Sequence, residues 1–249
     1  GYRAGYSLQT GGYNVYIGTF AGYGKTTDTG NVAIGYNSNK SGTSAGTNVA
    51  IGYESATTTT SNDGAWIGAN ENKLGTGGGA GVTVGHYAGY YAQGIGMVHI
   101  GQNAGRHASG SYNVFVGRDA GYGSNSAPYS SGQNNTALGY EALKVFTTGN
   151  RNIAVGDRAA YRLTTGGYNV AIGDTSLAGV VTGAHNVVLG YYAGGQISSG
   201  DDNIALGRNA LSYNNTANDN IAMGQYAGER TGQKRAGTYN IMMGTQTGR

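Results

Sequence analysis

An aliphatic triplet followed by glycine recurs along the whole chain, and no other feature restricts its fold so strongly. The motif reads Asn-Val-Ala-Ile-Gly, and its glycines are Gly1, Gly18, Gly35, Gly52, Gly68, Gly85, Gly101, Gly117, Gly139, Gly156, Gly173, Gly190, Gly207, Gly224 and Gly244. Nine of the fourteen spacings are 17 residues, and the others are 16, 20 or 22. Helical-hairpin repeats need roughly 33 residues or more, so they are excluded. One coil of a β-solenoid fits, with two strands of about five residues joined by two tight turns. The fold class predicted is all-β: a parallel β-solenoid, or β-roll, of about 14 coils with 16–17-residue repeats, forming one domain over residues 1–249. Coils stacked about 4.8 Å apart would make a rod on the order of 65–70 Å long.

Each part of the repeat carries an expectation. In Val32-Ala33-Ile34, Val49-Ala50-Ile51 and Ile204-Ala205-Leu206 the two-residue period of a strand sends the outer pair to one face and the middle residue to the other. Val stacked on Val and Ile on Ile is expected to form a narrow core. The glycine after the triplet marks a corner that needs positive φ or close backbone approach. Three residues later comes Ala, Ser or Thr in every unit but one, as at Ala21, Ser38, Ala104 and Ala193; Glu71 is the exception. A thin coil buries little surface by itself. A continuous Ala and Ser stripe would let further copies approach closely, so a homotrimer is expected; a monomeric solenoid with an Ala-lined flat face is the alternative.

Asn precedes the triplet at Asn14, Asn31, Asn48, Asn113, Asn135, Asn152, Asn169, Asn186, Asn203, Asn220 and Asn240. Stacking turns these into a ladder in which each amide donates to one neighbouring coil and accepts from the other. Asn chosen only for turn formation is the competing reading.

Composition closes other routes. Gly supplies 49 of the 249 residues, and Pro occurs once. Gly is not at every third position, which excludes collagen. The 21 Tyr and the regular aliphatic pattern disfavour disorder. The net charge is +3, and the scattered charges form no basic face for nucleic acid. No apolar run is long enough for membrane insertion. Cysteine is absent, which fits an exported protein. The chain starts and stops inside a repeat, as a fragment of a longer fibre protein would.

The unit Asn-Val-Ala-Ile-Gly-x-x-Ala resembles the repeats in the heads of YadA-type trimeric autotransporter adhesins. It is also similar to repeats of phage tail fibres and of surface proteins ending in an intramolecular endosialidase-type chaperone. Asn135-Thr136-Ala137-Leu138-Gly139 and Asn152-Ile153-Ala154-Val155-Gly156 lean towards the second group. The resemblance covers nearly the whole chain. It implies a left-handed β-roll, three chains to a fibre, an extracellular place on a cell or virion surface, and a role in attachment. The 17-residue unit is longer than the shortest adhesin-head repeats, so one turn is expected to be enlarged.

Interruptions of the repeat are the leads to binding. Extra residues fall near 121–133, with Tyr122, Pro128 and Tyr129, and near 228–239, with Arg230, Lys234 and Arg235. Insertions in solenoids become projecting loops. The stretch 64–100 replaces the usual residues with Trp66, Thr83 and His99 and adds Tyr87, Tyr90 and Tyr91. Such aromatics could contact a host-surface receptor or polysaccharide, or merely fill a changed cross-section.

Nothing in the sequence assembles a triad, a thiol site or a metal-ligand pair from His86, His99, His107 and His185. Asp201-Asp202-Asn203 and Asn218-Asp219-Asn220 read as turns. No cofactor, no metal and no enzymatic activity are expected. The sequence points to a structural fibre segment serving attachment. A carbohydrate-binding solenoid with Tyr-rich faces is the alternative, and paired threonines such as Thr147-Thr148 leave an ice-binding solenoid as a third.

Overall fold

The structure is a computed structural model and describes all residues except 42–45, 59–62, 72–80, 127, 214–215, 230–236 and 249. The chain divides into two compact units, Gly1–Asp119 and Ala120–Arg249. Both are parallel β-solenoids with coils of about 17 residues, and no helix occurs among the described residues.

Seven strands stack in the first unit: β1 (Val15–Ile17), β2 (Val32–Ile34), β3 (Val49–Ile51), β4 (Ala65–Ile67), β5 (Val82–Val84), β6 (Val98–Ile100) and β7 (Val114–Val116). In the second unit β8 (Thr136–Leu138), β9 (Ile153–Val155), β11 (Val170–Ile172), β13 (Val187–Leu189), β14 (Ile204–Leu206), β15 (Ile221–Met223) and β16 (Ile241–Met243) stack in that order. A short second ladder pairs β10 (Arg162–Leu163) with β12 (Val180–Val181). Register follows the repeat, with Val15 beside Val32 and Val32 beside Val49.

The two five-residue strands expected per coil are replaced by one three-residue strand and a long run of turns. The reason is conformational. Left-handed backbone recurs at four places in a coil: the residue before Asn, the motif glycine, and the second and fourth residues after it. In one coil these are Tyr168, Gly173, Thr175 and Leu177, with φ of 59°, 125°, 52° and 50°. Such residues interrupt a pleated strand. The turns still bond coil to coil, as in Gly22 N–H to the Ser38 carbonyl at 2.9 Å and Leu177 N–H to the Ala193 carbonyl at 2.9 Å.

The structure also reverses the sides of the triplet. The middle residue points inward: Ala33, Ala50, Ala137, Ala154, Ala171, Ala205 and Ala222 are all fully buried. The Val and Ile pair expected to make the core faces out, with Ile17, Leu138 and Leu189 each about half exposed. The small residues expected to form a stripe for neighbouring copies also lie inside: Ala21, Ser38, Ala104 and Ala193 are fully buried within a single chain. They are small because the coil is narrow. The Ser38 hydroxyl donates to the Ala50 carbonyl at 2.7 Å, tying one coil to the next from within.

Where the middle residue is larger than Ala, glycine six positions later makes room in every coil but that of Trp66, which is followed there by Asn72. The pairs are Tyr16 with Gly22, Thr83 with Gly89, His99 with Gly105, Phe115 with Gly121, Val188 with Gly194 and Met242 with Gly248. A Cβ added at Gly22 would lie 2.6 Å from the Tyr16 ring, and one at Gly105 would lie 2.4 Å from the His99 ring. Where the middle residue is Ala, that position holds Asn39, Ala56, Leu143, Ala160, Leu177 or Leu211, all fully buried, with Gly228 after Ala222 as the exception. Two positions of one coil share one volume, so the core keeps its density while its composition changes.

Candidate functional site

The asparagines form a continuous hydrogen-bonded column within the second unit. Along Asn152, Asn169, Asn186, Asn203, Asn220 and Asn240 each backbone N–H donates to the preceding Asn Oδ1 at 2.9–3.2 Å. Each side-chain Nδ2 donates to the same Oδ1 at 2.8–3.2 Å. From Asn135 to Asn220, Nδ2 also donates to a carbonyl of the following coil, such as Gly149, Gly166 or Gly200. In the first unit Asn31 and Asn48 repeat the backbone bond at 2.9 and 3.0 Å, and Asn113 Nδ2 donates to the Gly110 carbonyl at 3.0 Å. The column ties coils together; its members from Asn135 to Asn220 are buried, and Asn14 and Asn240 at the two ends are partly exposed.

The outward aliphatic face recurs in both units. Val15, Ile17, Ile67, Val82, Ile100 and Val114 of the first unit are exposed, as are Leu138, Ile153, Ile172, Val187, Leu189, Met223, Ile241 and Met243 of the second. Sequence reasoning assigned these residues to the core. The signal that separates the two faces is residue volume: the position held mostly by Ala is the one with least room.

The aromatic stretch divides between core and surface. Trp66, a candidate receptor contact, is 2 % exposed and packs with Ala50 and Ala56. It occupies a middle position, and Gly64 leaves space for its ring. His99 is fully buried, stacked on Phe115 with centroids 5.2 Å apart. Burial holds its imidazole down at about 3, so it is neutral at pH 7. Tyr87, Tyr90 and Tyr91 meet on a corner of the first unit. Tyr87 and Tyr90 are 5.2 Å apart, Tyr90 and Tyr91 4.7 Å, and Tyr91 stacks on His107 at 4.9 Å. The Arg106 guanidinium lies 4.6 Å over the Tyr87 ring. These rings are half-buried and spend much of their face on one another.

Tyr122–Asn125, at the start of the insertion near 121–133, line a cleft together with Lys144–Thr147. Tyr122 lines it, and Tyr129 is half-buried nearby in the chain. Arg230, Lys234 and Arg235 lie outside the described residues.

Two buried acids are further sites that sequence reasoning passed over. Asp28 pairs with Lys25 at 3.2 Å, both nearly fully buried; burial, and to a smaller extent the Asp28 charge, pushes the Tyr16 phenol up to about 12. Glu71 occupies a position otherwise held by small residues and is fully buried. Burial pushes its carboxyl up to about 7, against a smaller downward pull from its own backbone and Ser55. Because the folded value exceeds the unfolded one of about 4.5, its contribution is fully present below pH 4.5 and lost as pH rises through 7. The loss amounts to about 2–3 kcal/mol. Urea unfolding at pH 5 and pH 8 measures it as the difference between wild type and Glu71→Gln, because the buried neutral His99 and His107 act in the opposite sense over this window; the stability of wild type relative to Glu71→Gln is expected to fall by that amount from pH 5 to pH 8. A relative stability that stays the same at the two pH values would assign the pH effect elsewhere.

No group of three or more His, Cys, Asp or Glu able to hold a metal occurs among the described residues. The chain matches no protein-family model, no curated protein and no solved structure. What it does therefore has to be argued from its own surfaces.

Proposed function

We propose that the chain is a structural segment of an extracellular attachment fibre, of the adhesin or tail-fibre kind, in which three copies associate through their outward aliphatic faces. The observation that carries this reading is the exposed Val/Ile ladder. Two residues per coil, half of them 36–71 % exposed and the rest partly buried, give a seven-strand face on the order of 800 Å² of apolar surface. A soluble monomer rarely leaves more than a few hundred Å² of contiguous apolar surface in water, and 800 Å² is one side of a standard interface. A second copy is the occupant that matches best. It presents the same ladder with the same coil spacing, and a closed ring of copies leaves no aliphatic face in water. Three copies follow from the resemblance of the repeat. The asparagine column and the shared core volume make the coil stack a rigid support, which suits a spacer better than a catalyst.

Light scattering tests the assembly. The expected mass is near 75 kDa, three times the 25.4 kDa chain. Replacing Val187 and Leu189 by Glu puts charges into the face and is expected to give single chains with an unchanged far-UV circular dichroism spectrum. A wild-type mass of one chain would sink the assembly and leave the ladder without an occupant.

A further inference from the structure

The long spacing between Gly117 and Gly139 opens the stack at one corner of the second unit. On one side of the insertion, Gly121 and Gly123 N–H groups donate to the Ala142 and Lys144 carbonyls at 2.9 Å. On the other, Ser130 Oγ donates to the Phe146 carbonyl at 2.5 Å and Ser131 N–H to Thr147 at 2.8 Å. Between these anchors lie the extra residues, and Tyr122–Asn125 on one stretch of chain face Lys144–Thr147 on the next coil. The result is a cleft of about 320 Å³. Its walls are Tyr122, the stem of Lys144 and Val145, with Ser124, Asn125 and Thr147 among its polar groups.

The chemistry of the walls narrows the occupant. Volume sits at the small end of the range for ligand sites, roughly 300–1,000 Å³, so one ring fits better than a chain. Lys144 Nζ lies 2.7 Å from Glu141 Oε1, and Arg158 Nε lies 2.9 Å from Oε2 of the same carboxylate. The local cation is thus already matched and does not select an acid. Both hydroxyls have committed their protons: Ser124 Oγ donates to the Ser126 carbonyl at 2.9 Å, and Thr147 Oγ1 to the Thr164 carbonyl at 3.0 Å. Both residues line the cleft, and each hydroxyl oxygen keeps lone pairs that can accept. The Ser124 backbone is itself fixed, its N–H donating to Ser130 Oγ at 2.9 Å. A ligand with one apolar ring face and an edge of hydroxyl donors satisfies this arrangement.

We propose that this cleft is a carbohydrate subsite that takes one neutral pyranose unit, its C–H face against Tyr122 and its hydroxyls donating to Ser124 and Thr147. The proposal is independent of how many copies assemble, because every lining residue comes from two adjacent coils of one chain.

Saturation-transfer difference NMR on the full chain tests it, with methyl glycosides of glucose, galactose, mannose, N-acetylglucosamine and N-acetylneuraminic acid as probes. Transfer is expected to the ring C–H protons of at least one neutral glycoside, with a dissociation constant of about 1–10 mM for a single unit. Tyr122→Ala should weaken it at least tenfold, Tyr122→Phe should retain it, and Tyr213→Ala, in a distant coil, should leave it unchanged. Asn125→Ala, at an exposed position, is expected to weaken it several-fold and covers the case in which Tyr122→Ala does not fold. Transfer to no neutral glycoside, transfer confined to the acidic sugar, or transfer untouched by both Tyr122→Ala and Asn125→Ala would overturn the assignment.

Discussion

Replacing Asn186 by Ala is expected to lower the stability of the second unit by about 3–4 kcal/mol. The asparagine stands in mid-column. Its Nδ2 donates to Asn169 Oδ1 at 3.0 Å and to the Gly200 carbonyl at 2.8 Å, and its Oδ1 accepts from the backbone and side chain of Asn203 at 3.0 and 2.9 Å. All of these atoms are buried. Alanine removes the bonds and, more seriously, strands the Asn203 backbone N–H away from water, which costs more than a hydrogen bond contributes on average. Only neighbouring coils touch, so the damage enters through one interface and is not diluted over the unit. Urea unfolding followed by circular dichroism measures the change. A loss under about 1 kcal/mol would mean that water replaces the amide and that the column is not a chief source of cohesion.

Gly190→Ala is expected to do comparable harm by a different route. Gly190 has φ of +134°, a conformation that L side chains rarely adopt. A Cβ there would also lie 2.7 Å from the Gly207 carbonyl oxygen and 2.8 Å from its carbon, both backbone atoms. The next coil would have to move, which breaks register with the strand above, for a cost of about 3 kcal/mol or more. Gly244 supplies the control. It has φ of +113°, but a Cβ there would meet only Thr247 Cγ2, at 3.3 Å. Gly244→Ala therefore carries the dihedral strain without the collision, and its thermal midpoint should fall by clearly less. Equal losses at the two sites would show that strain alone requires the glycine.

Much of this architecture is legible in the spacing of the glycines. A repeat of 17 residues with an alternating triplet leads to a parallel stack in the register found, Val beside Val and Ile beside Ile. Period alone cannot say which side of a strand is wet, since alternation is the same seen from either face. Here the usual rule that the larger aliphatics go inside fails, because the coil encloses too little space for them. The volume exchange resolves the choice. Only an inward residue would trade size with a glycine six places on, as Phe115 does with Gly121. Trp66 fills the coil's cross-section, the second of the two readings its middle position allows, and is not a surface contact. The cleft was half visible: the long spacing marks the insertion, but its folding back onto Phe146 and Thr147 depends on bonds from Ser130 and Ser131 that no motif announces.

The recurrent left-handed residues have a consequence for how the molecule comes into being. Each coil holds several of them on side chains such as Leu177, Thr175 and Tyr168, at roughly 1–2 kcal/mol apiece. A lone coil has nothing to offset that cost. A coil laid on a finished one gains its inter-coil hydrogen bonds and its share of the core at once. Folding should then behave like growth on a crystal face, with a slow nucleus followed by rapid addition of layers from the seed. Any domain that presents a preformed parallel edge would supply that seed, and would set both the starting point and the direction in which the chain is wound.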